Sequence, residues 1–238
     1  MITNRAFSIA NIVLLTSLLL LSLYPAFANA EASPLVGKVI ALDSGHGESE
    51  TSFGTSGLCD IASTTVTEVE VNNAVRQVLS DMITDAGGEV FPVPQLESRN
   101  ARVDAAEVAN SDVLISIHHN GSTNISTDYT QFFVTQKNDK ELANAIYPFM
   151  LSAVQGVGKG IKSDGYGMTV YGSLPGVLTE SYFITNTDRA CEFVAYLADT
   201  TNTNSIVHRE AQALFDGLES YFTQSGGSEG GGGKGRNR

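Results

Sequence analysis

The chain has 238 residues, with 14 basic and 26 acidic side chains and a formal net charge of −12. The 194 residues from Glu31 to Gln224 carry −15, since the one base of the first 30 residues and the +2 of the last 14 lie outside them. That balance excludes nucleic-acid binding and peripheral attachment to anionic membranes, both of which need cations. At 42% hydrophobic and 17% charged, the body is a globular domain large enough to fold on its own core.

The amino terminus reads as a secretory leader. Arg5 precedes an apolar run from Ile12 to Tyr24, Pro25 breaks it, and Ala28-Asn29-Ala30 offers a cleavage site before Glu31. The run of 13 residues is short against the ~20 needed to span a bilayer, so no membrane anchor is expected to remain after cleavage. The mature protein is expected to be periplasmic or secreted. In that compartment Cys59 and Cys191 can pair, although the sequence leaves two free thiols equally open.

Strand and helix patterns then alternate. Val39 to Leu42 is a short buried strand that stops at Asp43-Ser44-Gly45-His46-Gly47. Residues 48–64, rich in Ser, Thr and Gly, read as a long loop. From Glu68 the apolar positions Val71, Val75, Val78, Leu79, Met82 and Ile83 follow a helical period that Gly87-Gly88 ends. Glu89 to Val93 reads as a strand, Arg99 to Asn110 as a helix, and Val113 to Ile117 as a buried strand ending at His118-His119-Asn120. Gln131 to Thr135 (strand), Asp139 to Val154 (helix), and Met168 to Tyr171 and Val177 to Thr179 (short strands) follow, the last ending at Glu180. Two helices, Asp188 to Leu197 and Ser205 to Phe222, close the domain. Ser225 to Arg238 holds seven glycines and no apolar residue, which predicts a flexible tail. The pattern predicts one α/β domain over residues 31–224, a sheet with helices on both faces.

Three strand ends carry reactive groups: His46, His118 and Glu180. Sites in α/β folds form at such ends, and two imidazoles with a carboxylate are the ligand types of a catalytic zinc with an open position. Glu68 fits as the third ligand, because it opens the helix after the loop that leaves His46, whereas Glu70 projects elsewhere. Each residue also has a structural reading. His46 and His118 can serve backbone hydrogen bonds, Glu68 can favour a helix dipole, and Glu180 can cap a helix or pair with Arg189. His119 points away from His118 by strand alternation, and His208, Arg209 and Glu210 read as a solvated helix face.

The order of these segments resembles the catalytic domain of the zinc-dependent N-acetylmuramoyl-L-alanine amidases. A strand enters an Asp43-Ser44-Gly45-His46-Gly47 turn, and a helix opens with Glu68 and carries Asn72. Arg102 precedes the Asp112 to Asn120 strand, and Pro175, Leu178, Glu180, Phe183 and Asn186 match the final motif. The resemblance covers Lys38 to Phe222 and implies a mostly parallel, mixed sheet of about six strands, the zinc amidase or phosphorylase/hydrolase-like fold. It implies zinc held by His46, Glu68 and His118, with Glu180 as the catalytic acid/base. The implied substrate is peptidoglycan, cut between N-acetylmuramic acid and L-alanine, and a protein activator is a partner to test for.

Ser44, Glu48 and Tyr182 depart from the family pattern, and Tyr182 and Glu48 are expected to reshape the substrate groove. The stretch from Val93 to Arg102 is shorter than the family's loop, and no long insertion lies between Asn120 and Leu142. Two other readings compete: a zinc metallopeptidase acting on free peptides or muropeptides, and an inactive peptidoglycan-binding regulator. A serine hydrolase is disfavoured, because no G-x-S-x-G elbow occurs.

Overall fold

The computed structural model describes residues 32–47, 54–96, 98–163 and 165–226. The expected leader, Glu48 and residues 227–238 lie outside them. Six strands build the main sheet: β1 (Val39–Asp43), β4 (Glu89–Pro92), β5 (Val113–Asn120), β6 (Thr130–Phe133), β7 (Gly158–Lys162) and β8 (Gly176–Phe183). Their spatial order is β4-β1-β5-β8-β6-β7, parallel throughout except where β6 runs antiparallel to β8. The α/β class and the six-stranded mixed sheet are therefore as the sequence predicts. Two strands form a separate hairpin, β2 (Ser56–Cys59) with β3 (Thr64–Thr67).

Five α-helices accompany the sheet among the described residues: α1 (Glu68–Asp85), α2 (Arg99–Val108), α3 (Lys137–Val154), α4 (Thr187–Ala198) and α5 (Ile206–Gly226). Helix α1 starts at a capping box, with Glu70 accepting from the Thr67 backbone and hydroxyl at 2.7 Å. Its Val71, Val75, Leu79 and Ile83 fall on one face and are fully buried. Asn186 caps α4 by accepting from the Asp188 and Arg189 amides.

The sheet has two unequal cores. Ile40, Leu42, Val113, Ile115, Ile117, Phe132 and Val177 point to one face and pack with apolar residues of α1, α3 and α5. Ala41 and Leu114 point to the other, where α2 and a 3-10 turn (Gly167–Val170) contribute Val103, Ala106 and Met168. The catalytic-type residues lie on this thinly covered face.

Several local expectations change. Residues 56–67 are a hairpin rather than loop, pinned to α4 by a Cys59–Cys191 disulfide across 132 residues of sequence. Met168 lies in the 3-10 turn, where a strand was expected, because Gly167 at φ +67° turns the chain out of extended geometry. Strand β7, glycine-containing and partly exposed, had no apolar alternation to announce it. Helix α5 runs to Gly226, two residues into the expected tail.

Candidate active site

Strand β1 ends at buried Asp43, and the chain leaves through Gly45 at φ +43° and His46 at φ +54°. A left-handed φ is unfavourable for histidine, so something must hold it. Arg102 on α2 does: its guanidinium donates to the His46 and Leu96 carbonyls and, at 3.0 Å, to Asp43 Oδ1. Asp43 also accepts from Ser116 of β5 at 2.7 Å, so both its oxygens are committed. The turn thereby aims the His46 ring at the first residue of α1.

That residue is Glu68, almost fully buried. Its Oε1 lies 2.9 Å from His46 Nε2 and 3.0 Å from His118 Nδ1, and its Oε2 accepts from the Thr55 amide at 3.0 Å. One donor atom from each of His46, Glu68 and His118 falls within 4.8 Å of the others. Burial acts to raise the Glu68 carboxyl, but hydrogen bonds from His118 and His46 and their charges outweigh it and hold the acid well below the usual carboxylate range.

Two glycines make room for this cluster. A Cβ on Gly45 would come within 2.6 Å of His118 Cε1, and one on Gly54 within 2.3 Å of Glu68 Oε2. Two imidazoles and one carboxylate in a cradle that excludes side chains are a donor set that suits zinc. The residues fit the ion that the sequence resemblance implies.

Glu180 sits on β8 directly opposite His118 of β5. It is 8% exposed, and its Oε2 is buried with no hydrogen-bond partner among the described residues. Burial pushes its pKa up to about 7, with the nearby His118 opposing and Glu68 adding to the rise. Arg189, the alternative partner for Glu180, instead binds Asp128, Glu192 and the Val154 carbonyl. Beside the cluster opens a cleft of about 320 Å³ bordered by His46, Arg99, His118, Tyr166, Met168 and Leu178.

Behind the sheet lies a network that sequence reasoning missed. His119 is fully buried, on the face opposite His118 as alternation requires. Its Nδ1 contacts Asn72 Oδ1 at 2.7 Å and its Nε2 contacts Glu210 Oε2 at 2.9 Å. Asn72 Nδ2 donates to the Ser44 carbonyl, and Glu210 Oε1 accepts from Ser181 at 2.7 Å. Glu210 was expected on a solvated face and is instead fully buried. The signal available was its apolar flank, Ala211, Ala213 and Leu214, which points that part of α5 inward.

Tyr182 does not shape the groove either. A register shift between His118 and Asn120 places two residues of β8, Ser181 and Tyr182, against one of β5, His119. The resulting bulge turns Tyr182 to the covered face, where it is fully buried 4.4 Å from the His119 ring.

Imidazoles from two parallel strands meeting a carboxylate at a helix start, with a desolvated acid beside them, are the groups of a hydrolytic enzyme of the α/β class. Residues 40–216 match the family described as N-acetylmuramoyl-L-alanine amidase, and the chain belongs to that family. Among curated relatives, YqiI of Bacillus subtilis (strain 168) is 27% identical over 217 residues, 87% of this chain and 94% of YqiI. The N-acetylmuramoyl-L-alanine amidase LytC of the same organism is 28% identical over 208 residues, 82% of this chain but 38% of LytC. The catalytic domain of the amidase CwlV from Bacillus (Paenibacillus) polymyxa var. colistinus shares the fold, with a TM-score of 0.66 at 23% identity over 78% of this chain and 98% of that domain.

Proposed function

We propose that this amidase works on peptidoglycan outside the cytoplasm, with His46, Glu68 and His118 as zinc ligands and Glu180 as the proton-transferring residue. The observation that carries the reading is the convergence of the three donor atoms beside Glu180, whose buried Oε2 has no hydrogen-bond partner among the described residues. A bound zinc supplies Lewis acidity, polarising the scissile carbonyl and acidifying water. Glu180, as carboxylate, takes the proton of the attacking water and returns it to the leaving L-alanine amine. Burial raises its pKa to about 7 in the metal-free protein, which favours return of the proton to the leaving group. Arg102 and Asp43 keep the His46 turn in place.

In this reading residues 1–30 are a cleaved leader and the catalytic body runs from residue 31 through the end of α5 at Gly226, with a tail after it. Among the described residues no helix is long and apolar enough to cross a membrane. The test is mass spectrometry of peptidoglycan digested by the purified protein, with metal content measured alongside. Intact stem peptides bearing a free L-alanine amino terminus are expected, and cleavage only within free peptides would overturn the assignment. Glu180→Ala is expected to abolish turnover and retain zinc; an active, zinc-replete variant would remove Glu180 from its role.

A further inference from the structure

The sheet face that carries Glu180 does not end at β8. Strand alternation and register place Leu178 of β8, Phe133 of β6 and Lys162 of β7 in one row, and Glu180 beside Gln131 in the next. Farther up, Tyr129 packs against Phe183 with centroids 4.5 Å apart. Tyr166, which borders the cleft, tilts over Phe133 at 4.7 Å. The helix packed on this part of the sheet, α3, reaches it from the opposite face, where Phe132 joins Leu142, Ile146 and Met150 in the main core. A shelf of half-buried rings therefore runs from the cleft to the edge strand β7.

Two cations stand on the shelf. Lys159 Nζ lies 5.5 Å from the Tyr129 ring centre and Lys162 Nζ 6.0 Å from that of Phe133. Both are exposed, and neither has a carboxylate partner among the described residues, in a chain where acids outnumber bases 26 to 14. By contrast, Arg102, Arg189 and Arg209 are each tied to acids. Arg99, also without a carboxylate partner among the described residues, borders the same cleft. Cations left unpaired on this face of an acidic domain set the shelf apart in charge from the chain as a whole. Resting an ammonium on a ring face fixes its position without neutralising it.

Resting on the amidase reading above, we propose that this shelf is a substrate subsite that binds the acidic stem peptide through its carboxylates. Lys159 and Lys162 receive the carboxylates, and the Tyr129, Phe133 and Tyr166 rings support the peptide as it leaves the cleft. The contribution is to selectivity and substrate capture rather than to the chemical step.

The experiment compares two muropeptides that differ only in having free carboxylates or carboxamides on the stem peptide. Each is assayed with the zinc-loaded parent and with the Lys159→Glu/Lys162→Glu double variant. The parent is expected to favour the acidic substrate through a lower KM, and added salt should narrow that preference. The double variant should reduce the ratio of the two kcat/KM values roughly tenfold, since each exposed pairing contributes modestly. An unchanged ratio with an unaltered melting temperature would overturn the subsite. Lys159→Arg/Lys162→Arg should restore the ratio, and failure of that rescue also counts against the proposal. If the parent cleaves neither muropeptide, it is the amidase reading that fails.

Discussion

Glu180 couples the chemistry of the site to pH. Its pKa, near 7 in the folded protein, lies above the ordinary carboxylate value of 4.5, so the fold favours the protonated acid. As a general base it must be ionised, and a zinc ion beside it would draw its pKa below the metal-free value of about 7, so kcat/KM is expected to rise with pH and level off before pH 7; a profile that stays flat from pH 4 to 7 would argue against the role. Linkage gives the stability counterpart. The favourable contribution is fully present below pH 4.5 and is lost as pH rises through about 7. In zinc-stripped protein, Glu180→Gln should therefore be more stable than the parent above pH 8, by ~3 kcal/mol. The gap should close by pH 4.5, as read by urea denaturation at each pH. The four reactive residues were legible from their places at strand ends and a helix start. The burial of Glu180 was not, because burial depends on residues far away in sequence.

At the scale of elements, the two buried networks divide the work of placing the site. Asp43, Arg102 and Ser116 lock the His46 turn from the open face, while Asn72, His119, Ser181 and Glu210 tie α1, β5, β8 and α5 together from the covered face. Removing one partner of a buried pair leaves the other desolvated and unpaired, so Glu210→Ala should cost ~3–5 kcal/mol in denaturant unfolding. A loss below 1 kcal/mol would show that His119 finds other partners. The disulfide holds the β2–β3 hairpin on α4, and replacing both cysteines by serine should cost ~4–5 kcal/mol for a loop of this length. Helix α1 and strands β1 and β5 were readable because a sustained 3.6-residue period or an unbroken apolar run announced them, whereas β8, Gly176–Phe183, was read only over Val177 to Thr179. The hairpin and β7 were not, since short strands of Ser, Thr, Gly and Lys acquire their conformation from pairing partners.

For the whole molecule, a metal that binds only the folded form draws the folding equilibrium toward it. With free zinc at 1,000 times its Kd, stability should rise by about 4 kcal/mol. For a domain of this size that lifts the melting temperature by roughly 10 °C, and a chelator should reverse it. A His118→Ala variant whose melting temperature responds to zinc as the parent's does would remove His118 from the ligand set. The sequence by itself determined the acidic character and the α/β alternation, because charge and hydrophobic period are local properties of the chain, and the order of its motifs pointed to the four residues proposed for the centre. Only the tertiary structure decided that Cys59 and Cys191 pair, that Glu210 is buried, that Tyr182 turns away from the groove and that Lys159 and Lys162 rest on the Tyr129 and Phe133 rings. Each of those outcomes depends on strand register and helix packing between segments distant in sequence, which local pattern does not encode.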